Sequence, residues 1–180
     1  AWSAENLAEN LASLLANNAT ITNADDLPGN ATLSTLGIVL ALTNSGATIG
    51  DDSYTNGYLN AGTYGFNGTC NKNFNVTITG NLVIGNAEIT LGETNDYTVE
   101  YTGSDIDVSN GNPTATTVDG SNVNWTYSLT EGGEYVETLE GVKNWIEGGY
   151  TVYFKATSPN HDEATGSFKV IVEKYEITIS

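Results

Sequence analysis

Tyr150, Val152, Phe154 and Ala156 alternate with Thr151, Tyr153, Lys155 and Thr157. A period of two places one set of side chains on a buried sheet face and the other in water. After a loop holding Pro159 and Asn160 the pattern returns, with Phe168, Val170 and Val172 alternating with Ser167, Lys169 and Glu173. Gly148, Gly149 and Gly166 mark where these strands begin, because glycine accepts the backbone angles of tight entries and bulges. Residues 147–174 therefore predict the closing strand pair of an antiparallel β-domain, and the rest of the chain leads into that pair or repeats it.

The repeat is visible in order. Gly62-Thr63-Tyr64, an Asn-containing loop, the apolar run Leu82-Val83-Ile84 and Glu88-Ile89-Thr90 are followed later by Gly149-Tyr150-Thr151-Val152, a loop with Asn160, the run to Val172 and Glu176-Ile177-Thr178. The two Glu-Ile-Thr signals begin at residues 88 and 176 and so lie 88 residues apart, the length of one β-sandwich domain. Recurrence at a fixed period is the signature of tandem modules. Between the signals, short strands are expected at 96–101, 106–108, 114–118, 123–129 and 136–139, separated by Gly or Asn turns. Trp125, Tyr127 and Leu129 alternate there as inward anchors. In the first half, strands are expected at 19–22 and 32–44, with a polar loop at 50–57.

The opening differs. Residues 3–17 predict an amphipathic helix: Ser3 caps it, Leu7, Leu11, Leu14 and Leu15 share one face, and no Gly or Pro interrupts. The fold class expected is thus mainly β, two Ig-like antiparallel β-sandwich units in tandem with one N-terminal amphipathic helix. Residues 1–87 form the first unit with its helix, 88–175 the second, and 176–180 a terminal strand that starts a next repeat or donates itself to a neighbour. Methionine is absent even at position 1, as in a processed mature chain or an excised piece.

Charge and chemistry narrow the function. Twenty-two acidic residues stand against five lysines and no arginine, for a formal charge of −17. Nucleic acid is a poor partner for such a surface, since phosphate binding needs clustered Lys and Arg, and an anionic membrane would repel it. No stretch has the roughly 20 apolar residues of a membrane span. A lone Cys70 allows no disulfide within the chain and reads as a small half-buried residue or an intermolecular bridge. His161, the one histidine, is far in sequence from a nucleophile and reads as a solvated turn residue. Catalytic residues and cofactors are expected to be absent.

The residues also resemble a family. Asn60-Ala61-Gly62-Thr63-Tyr64, Asn73-Phe74-Asn75-Val76 and Gly80-Asn81-Leu82-Val83-Ile84 resemble the end of MBG-type repeats, Ig-like sandwich modules of large bacterial surface proteins and adhesins. Tyr101-Thr102-Gly103, Trp125-Thr126-Tyr127-Ser128, Pro159-Asn160-His161-Asp162 and the run 166–173 are similar to the related Ig-like modules of such proteins. The resemblance covers mainly residues 60–180. It implies an extracellular spacer, scaffold or adhesive module without catalytic residues.

Candidate sites remain few. Asp105, Asp107, Ser109 and Asn110 put side-chain oxygens at the spacing of a calcium loop, although Gly111 falls one place late and Thr116 stands where a bidentate glutamate belongs; a polar turn is the competing reading. Asn18, Asn30, Asn67, Asn75 and Asn124 each have a threonine two positions on and are N-glycosylation acceptors. Outward tyrosines such as Tyr153 suit either a glycan platform or simple cover of a sheet face. The function expected is an extracellular, secreted or surface-displayed structural module, a filament subunit polymerising by β-strand addition or an array spacer. Its partners would be identical subunits or neighbouring repeats through sheet edges. An adhesin or glycan-binding module is the alternative, and a secreted hydrolase accessory domain the third.

Overall fold

The structure is a computed structural model that describes residues 3, 5–7, 32–33, 35–44, 47–48, 53–70, 72, 74–75 and 81–180. The chain is mainly β and divides into two compact units, residues 1–86 and 87–180.

The first unit holds a sheet of order β2-β1-β5-β6, from β1 (Ile38–Asn44), β2 (Ala47–Thr48), β5 (Gly62–Cys70) and β6 (Asn81–Ile84), all antiparallel. The expected polar loop at 50–57 ends instead in a hairpin, β3 (Tyr54–Thr55) and β4 (Tyr58–Leu59). Asn56 and Gly57 turn it with φ of 48° and 86°. Positive φ at both central residues is the twist that matches flanking strands, and Asn-Gly is the dipeptide that adopts it most readily. The core of this unit gathers Leu7, Leu59, Tyr64 and Ile84.

Of the helix expected over 3–17, the structure describes the turn at 5–7. Ser3 serves it as anticipated, its Oγ accepting from the Asn6 N–H at 3.1 Å and its carbonyl from the Leu7 N–H at 2.9 Å. Residues 8–17 and the expected strand at 19–22 lie outside the described residues.

The second unit is built on a sheet of order β11-β12-β14-β9: β11 (Asn124–Ser128), β12 (Tyr150–Thr157), β14 (Ala164–Glu173) and β9 (Tyr97–Glu100). Against the expectation of wholly antiparallel sheets, β9 runs parallel to β14, with Tyr97 opposite Val170 and Val99 opposite Val172. Two short ladders complete the unit: β8 (Thr90–Leu91) antiparallel to β10 (Ala115–Thr116), and β7 (Ala87–Glu88) parallel to β13 (His161–Asp162). The chain thus leaves one ladder at Leu91 and joins another at Tyr97.

The buried set of the closing pair is the one the alternation indicates. Val152, Phe154, Ala156 and Val170 are fully buried, and Phe168 and Val172 nearly so. Tyr127 and Val142 close the core, and Trp125 stands edge-on to Phe154 with ring centroids 5.3 Å apart. Leu129, expected as an anchor, is 40% exposed, because β11 ends at Ser128 and the chain turns away. The strand expected at 136–139 is reduced to a single bridge between Val136 and Tyr127, and that at 106–108 gives way to a 3-10 turn at Val108–Gly111.

Both units share a three-stranded antiparallel ladder. In the first, Gly62 faces Ile84 and Tyr64 faces Leu82; in the second, Tyr150 faces Val170 and Val152 faces Phe168. The inward residues correspond: Tyr64 and Ile84 are buried as Val152 and Val170 are.

Candidate functional site

The predicted calcium loop is a capped turn. Asp107 is the N-cap of the 3-10 turn, its Oδ1 accepting from the Ser109 N–H at 3.0 Å, while the Asn110 side chain donates back to the Asp107 carbonyl at 3.1 Å. Hydrogen bonds from Ser109, through side chain and backbone, hold the Asp107 carboxyl below its ordinary value against a small opposing effect of burial. Asp105 turns elsewhere and accepts from the Gly141 N–H at 2.8 Å. The Asp105 and Asp107 carboxylates thus both accept from backbone, and among the described residues no group of three or more His, Cys, Asp or Glu is arranged to hold a metal. Of the two readings weighed for this stretch, its geometry is that of a polar turn.

Behind it lies a half-buried polar cluster. Asn112 Nδ2 donates to the Tyr127 hydroxyl at 2.7 Å, and the Tyr97 hydroxyl donates to the Asp107 carbonyl at 3.1 Å. Burial raises both phenols above their ordinary range; Asp107 and Tyr127 add to this at Tyr97, while the Asn112 bond offsets part of it and Asp107 adds to it at Tyr127. These tyrosines stay neutral and fix the turn to the sheet.

His161 corrects the expectation of a solvated turn residue. Its side chain is 1% exposed and faces the Asp119 carboxylate, 3% exposed, with Nε2 3.8 Å from Oδ1. The loop carrying it is tied on three sides: Ser158 Oγ donates to the Asn122 carbonyl, the Asn160 carbonyl accepts from the Ala87 N–H, and His161 pairs with Ala87 in the β7–β13 ladder. Asn160 takes the left-handed conformation, φ 60°, which asparagine tolerates well. Both ring nitrogens face oxygen atoms, Nδ1 lying 2.7 Å from the Pro159 carbonyl, so neither is turned toward a serine or cysteine nucleophile. Asp119 is pushed up by burial, but bonds from the Ser121 N–H and side chain, the charge of His161 and the Thr117 hydroxyl outweigh this and leave the carboxyl below its ordinary value. Sequence reading missed the pair because the two residues are far apart in the chain and meet only through the fold.

The remaining candidates scatter. Asn75 and Asn124 are exposed, Asn124 at the start of β11, an edge strand; Asn67 lies within β5, between β1 and the rest of its sheet; Asn18 and Asn30 lie outside the described residues. Tyr153 is half-buried on the outer sheet face. Cys70 is half-buried, its Sγ donating to the Leu36 carbonyl at 3.3 Å. A shallow open depression of about 450 Å³ is lined by Thr116, Thr117, Ser121, Asn122 and Trp125. Among the described residues no helix is long and apolar enough to cross a membrane.

Residues 174–180 form no ladder, and Tyr175, Ile177 and Ile179 are 72%, 76% and 92% exposed. They alternate with Glu176, Thr178 and Ser180, so the apolar side chains of this segment meet water. Compared with known proteins, the chain matches no family model and no curated protein.

Proposed function

We propose that this chain is an extracellular structural module of a cell-surface protein or filament, built of two Ig-like sandwich units and joined to its neighbours by β-strand addition. The observation that carries the proposal is the shared ladder: a three-stranded antiparallel unit occurs in each half of the chain, with Tyr64 and Ile84 buried in one where Val152 and Val170 are buried in the other. Tandem repetition of a small β-unit is how extended scaffolds are made, since each copy adds length without a new fold. The crossing of the chain from the β8 ladder to β9 supports the sandwich, because a segment that pairs in two sheets ties two layers together. The exposed alternating apolar residues Tyr175, Ile177 and Ile179 support joining by strand addition, in which backbone hydrogen bonds supply the affinity. In that setting Asn75 and Asn124 are the acceptors open to glycosylation.

The test compares the full chain with a chain ending at Lys174, by electron microscopy and sedimentation. Filaments or higher oligomers from the full chain and a folded monomer from the shortened one are expected. Polymers that persist without residues 175–180 would refute strand addition through that segment, and a full chain that stays monomeric at high concentration would refute the filament subunit and leave the array spacer.

A further inference from the structure

We infer that the depression beside Trp125 is a binding site for a neutral sugar ring, a pyranoside at the end of a glycan. It is formed by β10, the 117–121 turn and the start of β11, and its volume is about 450 Å³. Small-molecule sites span roughly 300–1,000 Å³ and combine apolar surface with a few fixed polar groups. Both are in place here. Trp125 is half-buried and packed against the core of its unit, with its ring edge-on to Phe154. The indole is thus held in position while it lines the depression. The polar side is braced as well. Thr117 Oγ1 donates to the Ser121 carbonyl at 2.9 Å, the Gly120 N–H donates to the Thr117 carbonyl at 3.2 Å, and Ser158 Oγ donates to the Asn122 carbonyl at 2.9 Å. Those bonds hold the backbone, and two exposed lining residues, Thr116 and Asn122, offer a hydroxyl and a carboxamide that can both donate and accept.

Charge selects the ligand class. No residue lining the depression is ionisable, in a chain with 22 acidic residues and five lysines. An ionised ligand would find no counter-charge there, and an anion would also meet the field of a molecule of net charge −17. An aromatic surface alone would suit any apolar body. Joined to an amide and hydroxyls, it suits a body that is apolar on its face and hydroxylated at its edge. A pyranose ring is built that way: C–H bonds project from its face, where the negative face of an indole attracts them, and hydroxyls ring its rim. The contrast within the same unit is instructive. A second depression, about 630 Å³, is lined in part by Glu93, and its one aromatic, Phe154, is fully buried and offers no platform. The Trp125 site lies within one unit and works in a monomer, so it stands or falls apart from strand addition.

Proton–nitrogen NMR of the intact chain, titrated with methyl glucoside, methyl galactoside and methyl mannoside, tests the site. An open depression predicts a dissociation constant of about 1 mM or weaker. At least one glycoside should shift the Trp125 indole N–H and the Asn122 carboxamide saturably, while the indole of Trp145, 46% exposed, stays still. Asn122→Ala and Thr116→Val, both at exposed positions, should each weaken that binding about fivefold, the effect of losing one hydrogen bond, with the core amides unmoved. No shift with any of the three glycosides at about tenfold above that constant, or equal shifts at Trp145, overturns the site. So does binding that neither substitution weakens. A proline-rich peptide that moves the Trp125 and Asn122 signals where the glycosides do not overturns the sugar and gives the depression to peptide. The titration itself is read in the unmodified protein, so a variant that misfolds leaves it decisive.

Discussion

Glu88-Ile89-Thr90 and Glu176-Ile177-Thr178 are the same three residues in two environments. The first lies between β7 and β8, where Ile89 is 7% exposed; the second forms no ladder, and Ile177 is 76% exposed. Strand propensity is identical, so what separates them is the presence of partners: β13 and β10 flank the first copy. A β-prone tripeptide is half of a strand, and the other half is the neighbour that satisfies its backbone and covers its side chain.

The contrast is broken most directly at the isoleucines. Ile89→Ala should cost about 2–5 kcal/mol in chemical denaturation, the range for removing a buried aliphatic side chain, and Ile177→Ala in the monomer should stay within about 0.5 kcal/mol. Equal losses would show that the terminal segment is packed after all. A next-largest effect sharpens the comparison at glycine. A Cβ on Gly111 would run into the ring of Phe168, which is 2% exposed in the core, whereas one on Gly85 meets nothing within 4 Å. Gly111→Ala should therefore destabilise by about 1–3 kcal/mol. Gly85→Ala should be neutral or slightly stabilising, through the reduced freedom of the unfolded chain.

The smallest expected effect is a slope with pH. The Asp119 carboxyl sits below the ordinary value of 3.8 in the folded protein. The unfolded chain then binds that proton more readily, so the carboxylate contributes stability above pH 3.8 that is lost as the pH falls from there through its folded value. Denaturant midpoints measured down that range should decline less steeply in Asp119→Asn than in the parent. An unchanged slope would show that Asp119 is not held by its partners in solution.

The closing strand pair was legible because its signal is local: alternation over eight residues identifies strand, face and core together, and β12 and β14 bury the residues it points to. What escaped depends on partners distant in sequence. Nothing near Tyr97 says that β9 will lie parallel to β14, and nothing near His161 says that Asp119 will cover its ring. Val136 to Leu139 finds a single bridge, whereas Tyr97 to Glu100, with Tyr97 and Val99 on one face, finds a continuous neighbour. At the candidate calcium loop a spacing that suits a cation also suits a turn, and Asp107 accepts from the Ser109 N–H there.

The parallel pairing of β9 with β14 also has a mechanical meaning. β9 lies near the start of the second unit and β14 near its end, and the two run side by side through four register pairs, from Tyr97 opposite Val170 to Glu100 opposite Glu173. A pull on the chain from both sides drags these strands past each other along their length. Every bond of the clamp then bears load simultaneously, where a hairpin peeled from one end would surrender its bonds singly.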